Sequence, residues 1–306
     1  FGYLRVTDPP LQSNIWNTRK QALGLLMSVA GDTKPIAFVE DPAVPIEHMP
    51  AFLRGFQEIL EHHHAHGGYY GHASVGCLHV RPMIDLKQAS EVAKMGKILD
   101  EVAALVGEYG GSMSGEHGDG IARGKYNKVL FGPEIYQGFR RVKALFDPDN
   151  IMNPGKVVEA PEPTENLRWG AGYETVELRT HLDFSREGGF ARAVEMCNGM
   201  GVCRKRDAGT MCPSYHATLD EEHSTRGRAN ALRAALSGRL PKEELTSKRM
   251  YDVLDLCLEC KGCKRECPTN VDLAKIKYEF LAHYYEKYGT PLRARMFAAA
   301  GTLNKW

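Results

Sequence analysis

The sequence predicts an α+β domain followed by a helical, cysteine-bearing domain, and three observations carry that prediction. In the first half, a short apolar strand, an amphipathic helix, a glycine-rich strand region and a second amphipathic helix follow one another. A stretch rich in proline and acid, opening Glu159-Ala-Pro-Glu-Pro-Thr-Glu165, then reads as a linker over 159–185. Past it fall seven of the eight cysteines, at metal-ligand spacings. The expected domains are therefore 1–158 and 186–306.

The elements justify themselves in order. Asp8-Pro9-Pro10 reads as a polar approach to a short helix near Trp16–Met27, and Ile36-Ala-Phe-Val-Glu40 as a buried strand followed by the turn Asp41-Pro-Ala-Val-Pro45. Met49, Phe52, Leu53, Phe56, Ile59 and Leu60 recur at spacings of three and four, the stripe of a helix packed on a sheet. His62, His63, His64 and His66 close it and suit a helix C-terminus, with Gly67-Gly68 as a stop signal. Gly71 to Pro82 reads as strand, with His79 and Arg81 on one face and Leu78 and Val80 on the other. A second stripe, Val92, Met95, Ile98, Leu99, Val102, Leu105 and Val106, ends near Gly110-Gly111. Ser114-Gly-Glu116-His117-Gly-Asp-Gly120 sets a carboxylate and an imidazole among glycines, and Pro133 to Phe146 is a helix with proline in its first turn. The glycines match neither a dinucleotide fingerprint nor a phosphate loop, which argues against a nicotinamide-binding domain.

Cys257, Cys260, Cys263 and Cys267-Pro268 form the run C-x2-C-x2-C-x3-C-P. Three such thiolates bind one iron–sulfur cluster while the cysteine before proline reaches a second. Zinc and disulfide frameworks fit the spacing less well. Cys197, Met200, Cys203 and Cys212-Pro213 look like a damaged copy, with methionine where the middle thiolate belongs. Exchange of the fourth ligand assigns Cys212 to Cys257, Cys260 and Cys263 as a 4Fe-4S set. Cys197, Cys203 and Cys267 remain as a set one ligand short, whose cluster is a three-iron type or carries a non-cysteine cap. The helical stretches 228–236 and 248–256 lie between and beside the runs.

Composition excludes some classes. With 39 basic and 38 acidic residues in 306, nothing in the charge favours nucleic acid or an anionic membrane. Clustered free cysteines fit a reducing, cytoplasmic setting better than a secreted scaffold, and no apolar run of spanning length exists, leaving peripheral membrane association open. The start, Phe1-Gly-Tyr-Leu-Arg5, has neither initiator methionine nor signal pattern, as expected of a piece of a longer chain.

Gly71-His72 to Leu78-His79, Ser114-Gly-Glu116-His117-Gly, and Phe146-Asp-Pro with Asn153-Pro-Gly-Lys156 resemble the C-terminal half of the FAD-linked oxidases of D-2-hydroxy acids. The resemblance implies a ferredoxin-like antiparallel-sheet cap domain, with a divalent metal on His72, His79 and Glu116. Zinc ranks first for that site and manganese or iron stand behind it. It also implies His117 as the base against the substrate hydroxyl, Asn153 and Glu116 near the flavin, and Arg19 against a substrate carboxylate; a second carboxylate would need its own cationic partner, for which Arg81 and Arg19 are the candidates. His223 to Arg233 is similar to a segment of the all-helical two-cluster subunits of glycolate oxidase and succinate dehydrogenase. Together the halves resemble fused flavin and iron–sulfur dehydrogenases, closest to the D-2-hydroxyglutarate type, whose FAD sits mostly on a domain preceding this stretch. The activity so implied is oxidation of a D-2-hydroxy acid, with electrons passed through the clusters to a quinone or electron-transfer protein. The alternatives are D-lactate or glycolate as substrate, or an electron-transfer module with a non-catalytic docking domain. Homo-oligomerisation stays open. Two departures stand out: Ser74-Val-Gly76-Cys77 before Leu-His, and Arg81 where a neutral residue is expected.

Overall fold

The computed structural model describes residues 3–303; Phe1, Gly2 and residues 304–306, at the outer ends of the two expected domains, lie outside the described residues. The chain divides into two compact units, Asp32–Tyr173 and Phe1–Gly31 with Glu174–Trp306. The division falls inside the stretch 159–185, which carries neither α-helix nor strand.

Helix α1, Pro9–Met27, belongs with the second unit. It is longer than its apolar residues suggest, because Pro9 and Pro10 open it: Asp8 accepts from the Leu11 N–H at 3.0 Å, and prolines cost no hydrogen bond in a first turn. A Cβ on Gly24 of this helix would meet Pro268 at 3.2 Å, close approach that favours glycine.

The unit Asp32–Tyr173 is α+β. Its sheet is antiparallel, in the order β1-β3-β2, from β1 (Lys34–Pro35), β2 (Gly67–His72) and β3 (Cys77–Ile84), with α2 (Met49–His62) between β1 and β2. The strand expected over 36–40 is a correction: β1 stops at Pro35, and the chain bends at Phe38–Val39. It stays beside β3 through single contacts, the Ile36 N–H to Pro82 O and the Val80 N–H to Glu40 O. Gly67-Gly68 do not stop α2 but begin β2; the turn is made at His64, at φ +50°. The strand expected from Gly71 to Pro82 is a hairpin. Gly76 turns it at φ +68°, where a Cβ would lie 1.9 Å from Val44 O, so only glycine fits. Cys77, one of the departing residues beside it, is buried with its thiol toward Asp41.

Helix α3 (Ala89–Glu108) packs on α2 as the two stripes require. Phe52, Phe56 and Leu60 meet Met95, Ile98, Leu99, Val102 and Val106 in one core with Leu78, Val80 and Ile84 of β3. Full burial of such side chains contributes about 1.5–3 kcal/mol each. Short α4 (Asn127–Leu130) and α5 (Gly132–Phe146) follow, with proline at the start of α5 as expected. Leu167 and Trp169 from the irregular stretch pack against this core.

The second unit is helical among the described residues: α6 (Phe190–Glu195), α7 (Pro213–Thr218), α8 (Thr225–Leu236), α9 (Lys248–Asp255), α10 (Gly262–Glu266), α11 (Leu273–Tyr288) and α12 (Leu292–Leu303). Ser224, Ser247 and Asp272 cap α8, α9 and α11 by accepting backbone N–H bonds. Its core gathers Phe190, Val194, Leu232, Leu236, Leu254 and Phe280 around the cysteines. Among the described residues no helix is long and apolar enough to cross a membrane.

Candidate active site and cysteine clusters

The hairpin between β2 and β3 turns a seven-residue separation into a contact. His72 ends β2 and His79 lies on β3, and their rings stand 5.3 Å apart, edge to face. Glu116 reaches both, with its carboxylate oxygens 3.5 Å from His72 Nε2 and 3.1 Å from His79 Nε2. His79 is buried, and its Nδ1 donates to Glu40 O at 3.2 Å, which leaves the Nε2 lone pair facing Glu116. Glu116 thus stands between two imidazoles, and donors of these types are ones that zinc, manganese or iron accepts. The residues present therefore fit a divalent cation.

His117 lies beside this set. Its ring stacks on His79 at 5.1 Å, its Nδ1 is 3.3 Å from Glu40 Oε1, and its Nε2 is 3.7 Å from Glu116. It is half-exposed, while Glu40 is buried.

Asp41 is the residue that sequence reasoning missed. It is fully buried, and its Oδ2 accepts the backbone N–H of Glu116 at 2.9 Å and of His117 at 2.6 Å. Its Oδ1 faces the Cys77 thiol at 3.4 Å. Burial works to raise the Asp41 carboxyl, but the N–H groups of His117 and Glu116 and the Cys77 thiol outweigh it and hold the pKa below the usual range. Burial and the same carboxylate push the Cys77 thiol up to about 12, so it stays a donor. Asp41, Cys77, His79 and Glu116 could together reach a metal, yet Asp41 is committed to the loop it holds. The backbone explains the approach: Asp41 and Ala43 bridge to Ser114 and Ser112, and the Gly115 N–H donates to Asp41 O at 2.8 Å.

The second departure has an account as well. Arg81 is buried, with its Nη2 2.5 Å from Glu40 Oε1 and its Nε donating to the Tyr70 hydroxyl at 3.3 Å. The candidate for a substrate carboxylate is thus engaged by the protein and fixes Glu40 against His117. Arg19 is exposed on α1, in the other unit. Asn153 is exposed at φ +50° and accepts from Lys156 Nζ at 2.8 Å. Asp147 holds the turn before it, accepting the N–H groups of Ile151 and Met152 and pairing with Lys143.

In the helical unit the cysteines of the two runs come together, and Cys212 lies near Cys203 as well as near the second run. Cys197, Cys203 and Cys267 line one cavity together with Met200, and the Arg226 N–H donates to Cys203 Sγ at 3.3 Å. Cys212 lies near enough to Cys257 and Cys263 for their charges to interact, and Cys260 is exposed on the loop before α10. Burial, with Cys257, Asp272 and Cys212 nearby, pushes the Cys263 thiol up to about 11. A bound cationic iron centre reverses that balance, since a coordinating thiol is deprotonated outright. Glu266 ties the two runs together. Lys205 and the N–H groups of Thr210 and Met211 hold its carboxylate at about 2, which fastens the loop before Cys212 to the end of α10. Lys277 donates to Cys257 O at 2.8 Å and Asp255 O at 3.1 Å, fixing the first cysteine of the second run. Both sets suit iron–sulfur clusters.

Residues 3–157 match the family described as FAD linked oxidases, C-terminal domain. The chain belongs to that family. Residues 193–271 match the 4Fe-4S dicluster domain. The D-2-hydroxyglutarate dehydrogenase of Pantoea ananatis is 32% identical, over 97% of this chain and 32% of its own length. That of Escherichia coli K12 is 34% identical over 93% of this chain and 31% of its own length. The glycolate oxidase subunit GlcD of Escherichia coli K12 is 32% identical over 49% of this chain and 29% of its own. The chain spans about a third of the length of the D-2-hydroxyglutarate dehydrogenases it matches.

Proposed function

We propose that this chain forms the substrate-side cap and the iron–sulfur part of a flavin-dependent D-2-hydroxy-acid dehydrogenase, with D-2-hydroxyglutarate as substrate and the 2-oxo acid as product. The observation that carries the reading is the contact of Glu116 with both His72 and His79 beside a half-exposed His117 that is itself backed by a carboxylate. The choice of substrate draws on coverage. Relatives named for D-2-hydroxyglutarate align over nearly all of this chain, whereas those named for glycolate and D-lactate align over about half.

A divalent cation on His72, His79 and Glu116, zinc first, would lower the cost of deprotonating a coordinated hydroxyl, as metals lower the pKa of bound water from about 15.7 to about 7. FAD supplies the hydride acceptor, and its dinucleotide cradle is not formed by the described residues: the sheet is small and antiparallel, and no dinucleotide fingerprint is present. Clusters on the two cysteine sets supply a one-electron relay toward a quinone or an electron-transfer protein.

The chain's own groups then have defined work. His117 Nδ1 faces Glu40 Oε1 at 3.3 Å, which favours a proton on Nδ1 and leaves Nε2 as the nitrogen to take the hydroxyl proton. Glu40 orients the ring and stabilises the imidazolium that forms, and Arg81 fixes Glu40. Asp41 sets the position of the Glu116-His117 backbone against His79.

The test uses the full-length flavoprotein mixed anaerobically with D- and L-forms of 2-hydroxyglutarate, lactate and with glycolate. Flavin bleaching by D-2-hydroxyglutarate, at a kcat/KM at least tenfold above the others, is the expected result. Preference for lactate or glycolate would replace the substrate, and no reduction by any of them would make the first unit a docking domain.

A further inference from the structure

We propose that Arg228 is the counter-charge of the cluster held by Cys212, Cys257, Cys260 and Cys263 and that it sets the potential at which that cluster takes an electron. The proposal rests on reading those four cysteines as one ligand set.

Among the described residues Arg228 heads the fully buried side chains by size, at 0% exposure. A guanidinium keeps its proton inside proteins, so burying one without a counter-ion is strongly unfavourable. Its described partners are nevertheless neutral or sulfur. Nε donates to Val253 O at 2.9 Å, and Nη1 lies 2.7 Å from His223 O, 2.9 Å from Ser214 Oγ and 3.7 Å from Cys212 Sγ. Nη2 is buried and finds no acceptor. Among the described residues no carboxylate pairs with it. Neighbouring cations differ. Arg226, two residues earlier on α8, makes a two-pronged pair with Glu221 at 2.7 and 2.9 Å, and buried Lys277 pairs with Glu259 at 2.8 Å.

The anion that Arg228 lacks is therefore sulfur. Cys212 lies at the edge of hydrogen-bond range, and the charge of Cys257 also interacts with this guanidinium. A cluster bound through thiolates carries net negative charge, and net charge and hydrogen bonds to sulfur are the levers that set its potential. Adding an electron makes the group more negative, so a fixed buried cation favours the reduced form. The fold enforces the placement: Ser224 caps α8, the Arg228 N–H donates to Ser224 O, and the side chain is pinned between the chain at His223 and α9 at Val253.

The experiment is a redox titration of the iron-loaded full-length protein, followed by electron paramagnetic resonance, with iron and sulfide measured on each sample. Arg228→Gln should keep iron and make reduction of this cluster at least roughly tenfold less favourable, the size expected of a nearby unit charge at an effective dielectric of about 20. For a one-electron couple that is a shift of about 59 mV to lower potential. Arg228→Lys keeps the charge and should stay within a few-fold of wild type, as should Arg226→Gln, whose charge Glu221 already balances. A potential unchanged in iron-replete Arg228→Gln overturns the proposal. If Arg228→Gln fails to assemble, the lysine variant decides: a tenfold displacement there would assign the effect to hydrogen-bond geometry and overturn the charge argument. Wild-type protein without iron, or whose iron survives Cys257→Ser unchanged, defeats the underlying ligand assignment instead, so the two failures are distinct.

Discussion

Asp41→Ala should detach the Glu116-His117 loop without unfolding the helices beneath it. Asp41 Oδ2 alone accepts two backbone N–H groups, at 2.9 and 2.6 Å. Hydrogen bonds to a charged group are worth about 1.5–3 kcal/mol each, so the pair is worth about 3–6 kcal/mol before relaxation. Glu116 and His117 are part-exposed, and water can replace some of that loss, which favours the lower end. About 3 kcal/mol is roughly a hundredfold in the local opening constant, and native-state hydrogen exchange reads such openings directly. Amides of 115–118 should therefore exchange roughly a hundredfold faster in Asp41→Ala, while those of α2 and α3 keep their protection. Asp41→Asn is the informative partner. Its amide oxygen can take the Oδ2 position and its NH2 can face the Cys77 sulfur, so exchange should rise by roughly tenfold or less, and Glu116 should stay in reach of His79. Unchanged exchange at 115–118 in Asp41→Ala would refute the anchoring role. Loss of protection throughout α2 and α3 would show that Asp41 supports the core instead of the loop.

The remaining predictions address the site, a turn and the cysteine sets. His79→Ala should lose bound metal and activity together, whereas His117→Ala should keep the metal and lose turnover by about a hundredfold or more, the scale of general-base catalysis; metal analysis alongside kcat separates them, and metal release by His117→Ala would reverse the roles. The Lys143 ammonium beside Asp147, with the N–H groups of Ile151 and Met152, holds that carboxyl below the usual range. Its stabilisation of the turn is then complete above roughly pH 4 and lost as pH falls through the lower folded value, so exchange at Ile151 and Met152, corrected for intrinsic rates, should rise on acidification and be insensitive to pH in Asp147→Asn. Cys212→Ser should abolish the same paramagnetic signal as Cys257→Ser, and Cys267→Ser the same signal as Cys197→Ser. Pairing by sequence neighbourhood, Cys212 with Cys203 and Cys267 with Cys263, would contradict the exchange between runs.

Much of the candidate site was legible because it lies in short motifs. His72, His79, Glu116 and His117 stand in two local patterns, and the hairpin only had to close for them to meet. The helices α2 and α3 were legible for a similar reason, since a stripe at helical spacing is a local property. What escaped were contacts between distant segments made by charges that look solvated in sequence. Asp41 reads as the first residue of an Asp-Pro turn, yet it serves amides 75 and 76 positions away. Glu40 and Arg81 read as ends of strands, and their pairing spans 41 positions. The strand expected over 36–40 failed in the same stretch, because its backbone meets β3 only at Ile36 and Glu40 among the described contacts, and the chain turns just beyond it to the 112–115 loop through Asp41 and Ala43. One signal was present: Phe38-Val39-Glu40-Asp41-Pro42 places two acids directly after buried apolar residues, with prolines removing later N–H donors. Acids held at that depth must accept hydrogen bonds or meet a cation, since burying a charge otherwise costs more than a fold of marginal stability tolerates. The same reasoning applies to Arg228, for which no carboxylate partner is found among the described residues. Buried charges without obvious local partners are thus where sequence patterns say least and where chemistry at the two sites is set.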